Sequence, residues 1–238
     1  MISIKTYASG STGNLYHIDD GKTSLLIECG IPLREIRKAL GFNISSVAGC
    51  LVSHGHGDHS ASAEQLTKYG IDVYCTDGTA DEIGLKNHRV RHIEHGEVFR
   101  LGSFKIMPFS VQHDAVEPVG FLMVSGSDAI LYATDTYYIK YKFKNLTHIM
   151  IECNYSRDIL EGNIEKGIVH PALKKRIERS HFELENVKNF LRANDLSKVR
   201  EIHLIHISNQ NGDPGRFQGE IQALTGITTY IPGGNKWS

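Results

Sequence analysis

The chain has 238 residues, of which 40% are hydrophobic and 22% charged, and it contains no linker-like stretch, so we expect a single domain over residues 1–238. The formal net charge of −1 argues against a surface that is basic throughout, as proteins that hold long nucleic acids usually have. No apolar stretch is long enough for a membrane span and no targeting signal is visible, so we expect a cytoplasmic protein with no membrane partner.

The first third of the chain predicts strands that alternate with helices. Hydrophobic periodicity and helix-stop signals give strands at 2–8, 14–18, 24–29, 47–52 and 71–75, and helices at 32–40, 60–69 and 79–85.

The later part begins with consecutive short strands. They are predicted at 98–101, 104–111, 120–125, 129–133 and 148–152, followed by an irregular connection at 154–180, helices at 184–193 and 217–224, and strands at 201–207 and 228–231. Two sheets with helices on their outer faces form the simplest layered solution. We therefore expect an α/β (α+β layered) fold.

Residues 53–59 contain three imidazoles and a carboxylate directly after an apolar strand. Imidazole and carboxylate are ligands that zinc, manganese and iron prefer, and two glycines let this histidine loop turn tightly. His54 and His56 can then face one ion, while Asp58 and His59 face a second. The alternative, a polar loop that is merely rich in histidine, is much less favoured.

Three later residues close apolar strands, where a ligand can be aimed from a rigid position. They are His113, Asp135 and His206, and each taken singly could be an ordinary polar residue at a strand end. With the histidine loop they complete two ligand sets. These are His54, His56 and His113 for one ion, Asp58, His59 and His206 for the other, and Asp135 as a bridging carboxylate.

This ligand pattern resembles that of the metallo-β-lactamase superfamily, and the similarity covers nearly the whole chain. The resemblance implies an αββα sandwich of two mixed sheets, with helices on the outer faces and a two-metal site at one edge. Fold alone does not settle the chemistry. True β-lactamases commonly have a cysteine where Asp135 stands, and the flavodiiron branch has a glutamate where His56 stands. This chain has neither of these alternative residues.

Further residues resemble the phosphodiesterase branch. Glu152 and His181 are similar to the acidic residue and distant histidine of the transfer-RNA-processing zinc enzymes. Residues 8–14 and 113–121 resemble more closely the bacterial YycJ/WalJ group and the phage anti-Pycsar phosphodiesterases. Glu28 stands where aspartate is usual, a difference that we expect to affect support of the site rather than catalysis.

Asp58, Glu152 and His181 are the candidate catalytic residues. Two divalent ions per chain, Zn²⁺ or alternatively Mn²⁺, would activate a shared water as hydroxide for attack on phosphorus. His181, oriented by Glu152, would then protonate the leaving oxygen. The alternative is that this pair is only a strand-end carboxylate with a capping or surface histidine.

The substrate stays open between a cyclic nucleotide and DNA. We favour hydrolysis of 3′,5′-cyclic mononucleotides to nucleoside monophosphates, which the anti-Pycsar resemblance implies and which would counter host defence from the host cytoplasm if a phage encodes the chain. The alternative is a 5′ exonuclease acting on DNA, which the YycJ/WalJ resemblance implies and local basic runs such as 140–144 support. A non-catalytic scaffold that binds nucleotides or protein is a minor alternative.

Three residues are candidate substrate contacts: Ser11 and Asn14, in the glycine-rich turn after the first strand, and Asn154. The connection at 154–180 is long enough for a lid that reaches a partner subunit in a homodimer. An exposed irregular loop without a catalytic role is an equal alternative.

Overall fold

The computed structural model describes residues 2–232, which pack as two compact units. Of these residues, the first unit contains 2–110 and 115–128, and the second contains 111–114 and 129–232. Within the described part, the strands form two mixed sheets, accompanied by eight α-helices. The predicted α/β class with two mixed sheets is confirmed. The single domain over 1–238 stays a prediction, and the ends of that range lie outside the described residues.

The first unit contains nine strands and four α-helices. The strands are β1 (Ser3–Ala8), β2 (Leu15–Asp19), β3 (Ser24–Ile27), β4 (Val47–Leu51), β5 (Val73–Cys75), β6 (Val90–His92), β7 (Phe99–Leu101), β8 (Phe104–Ser110) and β9 (Val119–Ser125). The helices are α1 (Leu33–Ala39), α2 (Gly57–Ser60), α3 (Ala63–Lys68) and α4 (Asp77–Glu82), with a 3₁₀ turn at Ile44–Ser46.

The six-stranded sheet of this unit has the order β1 to β6. Its first three strands pair antiparallel and the following pairs are parallel, while β7, β8 and β9 form an antiparallel ladder. Ile36 of α1 and Leu66 of α3 are fully buried in one apolar cluster with Leu26, Cys50 and Val73 of the sheet. This core fixes the end of β4, from which the histidine loop leaves.

The second unit is built on four parallel strands. Its strands are β10 (Asp128–Ala133, from residue 129 onward), β11 (His148–Glu152), β12 (Glu201–Ile205) and β13 (Thr228–Tyr230), in the order β13-β12-β11-β10. Its helices are α5 (Arg157–Glu165), α6 (Pro171–Ser180), α7 (Leu184–Ala193) and α8 (Pro214–Thr225). Both β10 and β11 are buried along their whole length, as expected for continuous apolar runs in a parallel sheet.

The irregular connection predicted at 154–180 is wrong, because α5 and α6 occupy most of it. Tyr155, Leu160 and Val169 are buried together, and Ile164 and Ile177 pack against them. This small apolar cluster gives both short helices a face to bury, although their sequences are largely polar.

Smaller differences lie in the first unit. The helix predicted at 60–69 corresponds to the shorter α3, the separate turn α2 before it was not predicted, and neither was the short strand β6. Two of the three β6 residues are exposed, so that strand has almost no apolar pattern to read. Among residues 2–232, no helix combines the length and the apolar character that crossing a bilayer requires.

Candidate metal centre

Polar side chains lie together at the carboxyl ends of the parallel strands, at one edge of the second unit. Ala133 pairs with Ile151 and Glu152 pairs with Ile205, so β10, β11 and β12 end side by side. Asp135 and His206 follow two of these ends. With His181, one ligand atom from each of the four side chains lies within 4.8 Å of the others, in a cluster formed by Asp135, Glu152, His181 and His206.

Asp135 and His206 both have left-handed backbone conformations, with φ angles of 42° and 52°. That conformation costs a non-glycine residue about 1–2 kcal/mol, so the surrounding fold must hold it. The Thr134 hydroxyl donates to Asp135 Oδ1 at 2.9 Å, and the Asn154 amide donates to the His206 carbonyl at 2.9 Å. Both residues are almost fully buried, and both side chains belong to the cluster.

Glu152 is fully buried and accepts hydrogen bonds from several sides. The backbone amides of Thr136 and Phe182 donate to its Oε2 at 2.9 and 3.1 Å. Its Oε1 lies 2.7 Å from His181 Nδ1 and 3.3 Å from His206 Nδ1. Burial alone would raise the pKa of Glu152, but the charge and hydrogen bond of His181 outweigh it and hold that pKa below its usual value.

His181 directly follows α6 and keeps 23% of its side chain exposed. Burial alone would lower the pKa of His181, but the adjacent Glu152 carboxylate raises it above its ordinary value. Its ring stacks on that of His206, with centroids 5.7 Å apart and planes 14° apart. The structure therefore brings the predicted Glu152–His181 pair together beside two predicted ligands.

His113 completes the second unit's contribution. Its Nδ1–H donates to the Ser180 carbonyl at 2.9 Å, and its Nε2 lies 3.4 Å from Asp135 Oδ2. Burial lowers the pKa of His113 more than the nearby carboxylates raise it. The carbonyl contact fixes the tautomer and leaves Nε2 able to accept a metal ion.

The histidine loop is held compactly in the first unit. The ring centroid of His54 lies 4.8 Å from that of His56 and 4.2 Å from that of His59. Asp58 Oδ2 is 3.4 Å from His59 Nε2, and both residues lie on the single turn of α2. The four residues predicted as ligands from this loop therefore lie close together.

Backbone contacts clamp this loop from behind. The amides of Asn14 and Cys29 donate to the carbonyls of Asp58 and His59, each at 2.8 Å. Gly30 passes so close that a β-carbon there would lie 1.7 Å from the Asp58 carbonyl oxygen. Only glycine allows this approach, which presses the loop onto the residues after β3.

Glu28 supports the loop as expected for a residue beside the ligands. It is fully buried, has a φ of 62°, and accepts from the Ser53 amide at 3.3 Å through Oε2. Its Oε1 is 3.6 Å from His59 Nδ1. A carboxylate behind a ligating histidine orients the ring and raises its basicity.

The three predicted substrate contacts lie in different surroundings. Ser11 is exposed in the turn after β1. Asn14 is fully buried, and its amide nitrogen lies 3.0 Å from the Asp58 carbonyl and 3.2 Å from His59 Nε2. Asn154 is 7% exposed and its amide lies 3.2 Å from His206 Nδ1. These surroundings give both asparagines supporting positions behind candidate ligands, and their contact with substrate stays a prediction.

Sequence reasoning missed Ser180 and Thr136. The Ser180 carbonyl orients His113, and its hydroxyl donates to Asp114 at 3.0 Å. Thr136 contributes a backbone amide to Glu152. Their adjacency to His181 and Asp135 was the available signal, but backbone groups leave no mark in residue type.

The donor types of these residues suit divalent metal ions. Imidazole nitrogens and carboxylate oxygens are suitable ligands, and most of these side chains are buried. Burying so many ionisable groups together is costly without a partner charge, and a cation provides one.

Sequence comparison gives a family and two kinds of relative. A family model described as "Beta-lactamase superfamily domain" matches residues 23–207, which include every predicted ligand. The exodeoxyribonuclease WalJ of Streptococcus pneumoniae is 27% identical over 221 residues, covering 86% of this chain and 81% of that protein. The anti-Pycsar protein Apyc1 of Bacillus phage 010DV004 is 24% identical over 153 residues, covering 49% and 59%. Both groups match the resemblance predicted from the sequence.

Structural comparison gives the fold. The metallo-β-lactamase fold protein YhfI of Bacillus subtilis matches with a TM-score of 0.74 at 15% identity, covering 97% of this chain and 95% of that one. At this identity the likeness shows the fold alone, and it confirms the predicted metallo-β-lactamase fold.

Proposed function

Because this chain belongs to the metallo-β-lactamase superfamily, we propose that it is a metal-dependent phosphodiesterase that removes nucleotides from DNA ends. The observation that carries the phosphodiester assignment is the 2.7 Å contact between Glu152 and His181, next to Asp135 and His206. A sugar alkoxide is a poor leaving group, so a positioned proton donor is valuable for this bond.

The proposed ligands are those predicted from the sequence. His54, His56 and His113 would hold one divalent ion, Asp58, His59 and His206 would hold a second, and Asp135 would bridge them. Zinc and manganese both suit these donors. When bound, two such ions supply positive charge for the phosphate oxygens and lower the pKa of an attacking water.

Proton transfer is assigned to the chain's own residues. Glu152 engages Nδ1 of His181, which leaves Nε2 to donate a proton to the departing sugar oxygen. The stacked His206 ring and the two backbone amides on Glu152 keep this pair in place. Asp58, with 22% of its side chain exposed, would orient the attacking water in addition to binding metal.

The extent of the matches supports DNA as the substrate. The WalJ match covers 86% of the chain, whereas the Apyc1 match covers 49%. We therefore favour a 5′ exonuclease over the cyclic-nucleotide phosphodiesterase that was the first expectation. Hydrolysis of 3′,5′-cyclic mononucleotides remains the second candidate, which the Apyc1 match and the net charge of −1 favour.

One assay separates the two candidates. Purified protein with zinc or manganese is given duplex DNA labelled at the 5′ or the 3′ end and, separately, 3′,5′-cyclic AMP and cyclic UMP. Release of the 5′ label as a mononucleotide is the expected result. Hydrolysis of the cyclic nucleotides with intact DNA would instead favour the second candidate.

His181→Ala tests the proton donor. We expect kcat on DNA to fall by roughly 10²- to 10⁴-fold, because the leaving oxygen loses its acid. The kcat on bis(p-nitrophenyl) phosphate, whose leaving group needs no proton, should fall far less. Metal content by elemental analysis should be unchanged.

His88→Ala is the matched control for that variant, because His88 is exposed on the first unit. It should retain wild-type kcat on both substrates. If kcat of His181→Ala falls by the same factor on both substrates, the acid role is contradicted and a structural role is indicated.

The proposal also includes a homodimer in the cytoplasm. Light scattering coupled to size-exclusion chromatography tests the first part, with a mass of twice 26.5 kDa expected.

A further inference from the structure

The second unit contains a cavity of about 420 Å³ that the proposed chemistry does not use. It lies between the segment after Asp135 and helix α7. Its walls are strongly aromatic, with contributions from Tyr137, Tyr138, Tyr141, Phe182 and Phe190. We call it the aromatic cavity.

Two tyrosines of the aromatic cavity offer their rings to solvent. Tyr138 is 56% exposed and Tyr137 is 38% exposed, whereas Phe182 in the cavity wall is buried. The backbone of Tyr138 is fixed on Thr136, whose hydroxyl donates to the Tyr138 carbonyl at 2.9 Å. An exposed ring on a fixed backbone is suited to stacking a planar group, since little backbone freedom remains to be lost.

Two lysines make the same cavity basic. Lys140 and Lys142 both line it, and Lys140 Nζ stands 5.1 Å from the centre of the Tyr141 ring. Among residues 2–232, neither lysine takes part in an ion pair. Their charge is therefore available to an anionic ligand that also has planar groups.

Glu152 connects the aromatic cavity to the candidate metal centre. Its Oε2 accepts from the amide of Thr136, directly before Tyr137, and from the amide of Phe182 in the cavity wall. Its Oε1 bonds to His181. The two walls of the cavity and the proposed proton donor therefore share one carboxylate.

From this combination we infer that the aromatic cavity binds single-stranded DNA, with bases stacked on Tyr137 and Tyr138 and phosphates on Lys140 and Lys142. Alternating rings and cations are the features that bind unpaired strands without base preference. The inference rests on the proposed function. It assigns the aromatic cavity to the part of the strand next to the cleaved end. It implies that a duplex end is unpaired before it is cut.

Binding of an uncleavable strand tests this inference. The full-length protein with its metal ions is titrated into a fluorescent ten-nucleotide thymidine strand with phosphorothioate linkages, and anisotropy is measured. Tyr138→Ala should weaken binding by roughly tenfold, and Tyr138→Phe, which keeps the ring, should bind like wild type. Thermal unfolding of each variant checks that it is folded.

An abasic strand of equal length and charge isolates the stacking contribution. Wild type should bind it more weakly than the thymidine strand by roughly tenfold for each stacked base, and Tyr138→Ala should lose about tenfold of this difference while Tyr137 keeps the rest. If Tyr138→Ala and wild type discriminate equally, stacking on Tyr138 is excluded and the inference fails.

The salt dependence tests the lysines. Lys140→Ala/Lys142→Ala should reduce the slope of log K against log salt by about 1.4, since each phosphate contact on a single strand contributes about 0.7. Lys22→Ala/Lys105→Ala removes two exposed lysines of the first unit and should leave the slope unchanged. Equal slopes for both double variants would overturn the lysine assignment.

Cleavage by wild type keeps the two proposals apart. If wild type cuts DNA while all variants bind strands equally, the proposed function stands and the aromatic cavity is not the strand site. If the strand binds through Tyr138 but DNA is never cut, the cavity assignment stands and the exonuclease proposal fails.

Discussion

Glu28 shows how one buried residue can support a candidate metal ligand. It adopts a left-handed backbone, reaches His59 with one carboxylate oxygen and holds the Ser53 amide with the other. The sequence indicated a supporting role only through resemblance, because the contacts join residues 25 and 31 positions apart. Its charge, rather than its shape, is the feature that a metal site needs.

Glu28→Gln separates charge from shape. The amide oxygen can still accept from Ser53, but the negative charge behind His59 is lost. We expect metal affinity to fall by about 10- to 100-fold, measured by competition with a chromophoric chelator. The unfolding temperature of the metal-free protein should change little.

Glu64→Gln is the matched control, because Glu64 pairs with Lys68 on the exposed face of α3. It should bind metal like wild type. If both variants retain full affinity, Glu28 has no part in tuning the ligand.

At the scale of elements, the turn between β2 and β3 joins three parts of the first unit. Asp20 accepts from the amides of Lys22 and Thr23, each at 2.8 Å, and from the hydroxyls of Ser103 and Ser125. Ser103 lies in the turn between β7 and β8, and Ser125 ends β9. Burial alone would raise the pKa of Asp20, but these hydrogen bonds hold it well below the usual range.

Asp20→Asn should therefore destabilise the protein in a pH-dependent way. A carboxyl group whose pKa is depressed on folding contributes fully above its unfolded pKa of about 3.9 and loses that contribution as the pH falls below it. We expect a loss of about 1–2 kcal/mol in the free energy of unfolding at pH 7, measured with urea, that shrinks below about pH 4.

Asp81→Asn, at an exposed position on α4, is the control and should match wild type at each pH. A loss for Asp20→Asn that is the same at pH 7 and pH 3 would show that its charge is not responsible.

Some elements were readable from the sequence and others were not, for physical reasons. The strands ending at Ala133 and Ile205 both close on buried apolar residues, so the positions of Asp135 and His206 at one sheet edge could be predicted. Helices α5 and α6 could not, because Gly162 interrupts the first and charged side chains dominate the second. Their stability comes from the small cluster around Leu160, which only the tertiary structure shows.

At the scale of the whole molecule, the family model and the solved relative agree on fold over most of the chain at low sequence identity. The candidate ligands could be proposed from the sequence because the chemistry of metal binding restricts residue type. The left-handed conformations of Asp135 and His206, and the backbone bonds from Thr136 and Phe182 to Glu152, were not, because they depend on packing. The choice between DNA and a cyclic nucleotide likewise depends on surfaces beyond the ligands.

Removal of the metal ions should destabilise the whole protein. Ions that bind only the folded state add about 2.7 kcal/mol when present at 100 times their dissociation constant. We expect EDTA to lower the unfolding temperature measured by calorimetry, and added zinc or manganese to restore it.

EDTA already saturated with the same ion that the protein holds, zinc or manganese, is the control for chelator effects. An unchanged unfolding temperature after elemental analysis has verified metal loss would mean that the buried donors are stable without a cation.

The shared bonds of Glu152 also limit how this enzyme could be engineered. A designer who wishes to exchange substrate preference would graft a new segment at 136–142, yet the Thr136 amide in that segment holds the same carboxylate that orients His181. Under the two proposals, specificity and proton transfer are therefore not separate modules. Side chains such as Tyr138 can be exchanged without touching Glu152, whereas we expect insertions or a proline at Thr136 to disturb proton transfer together with recognition.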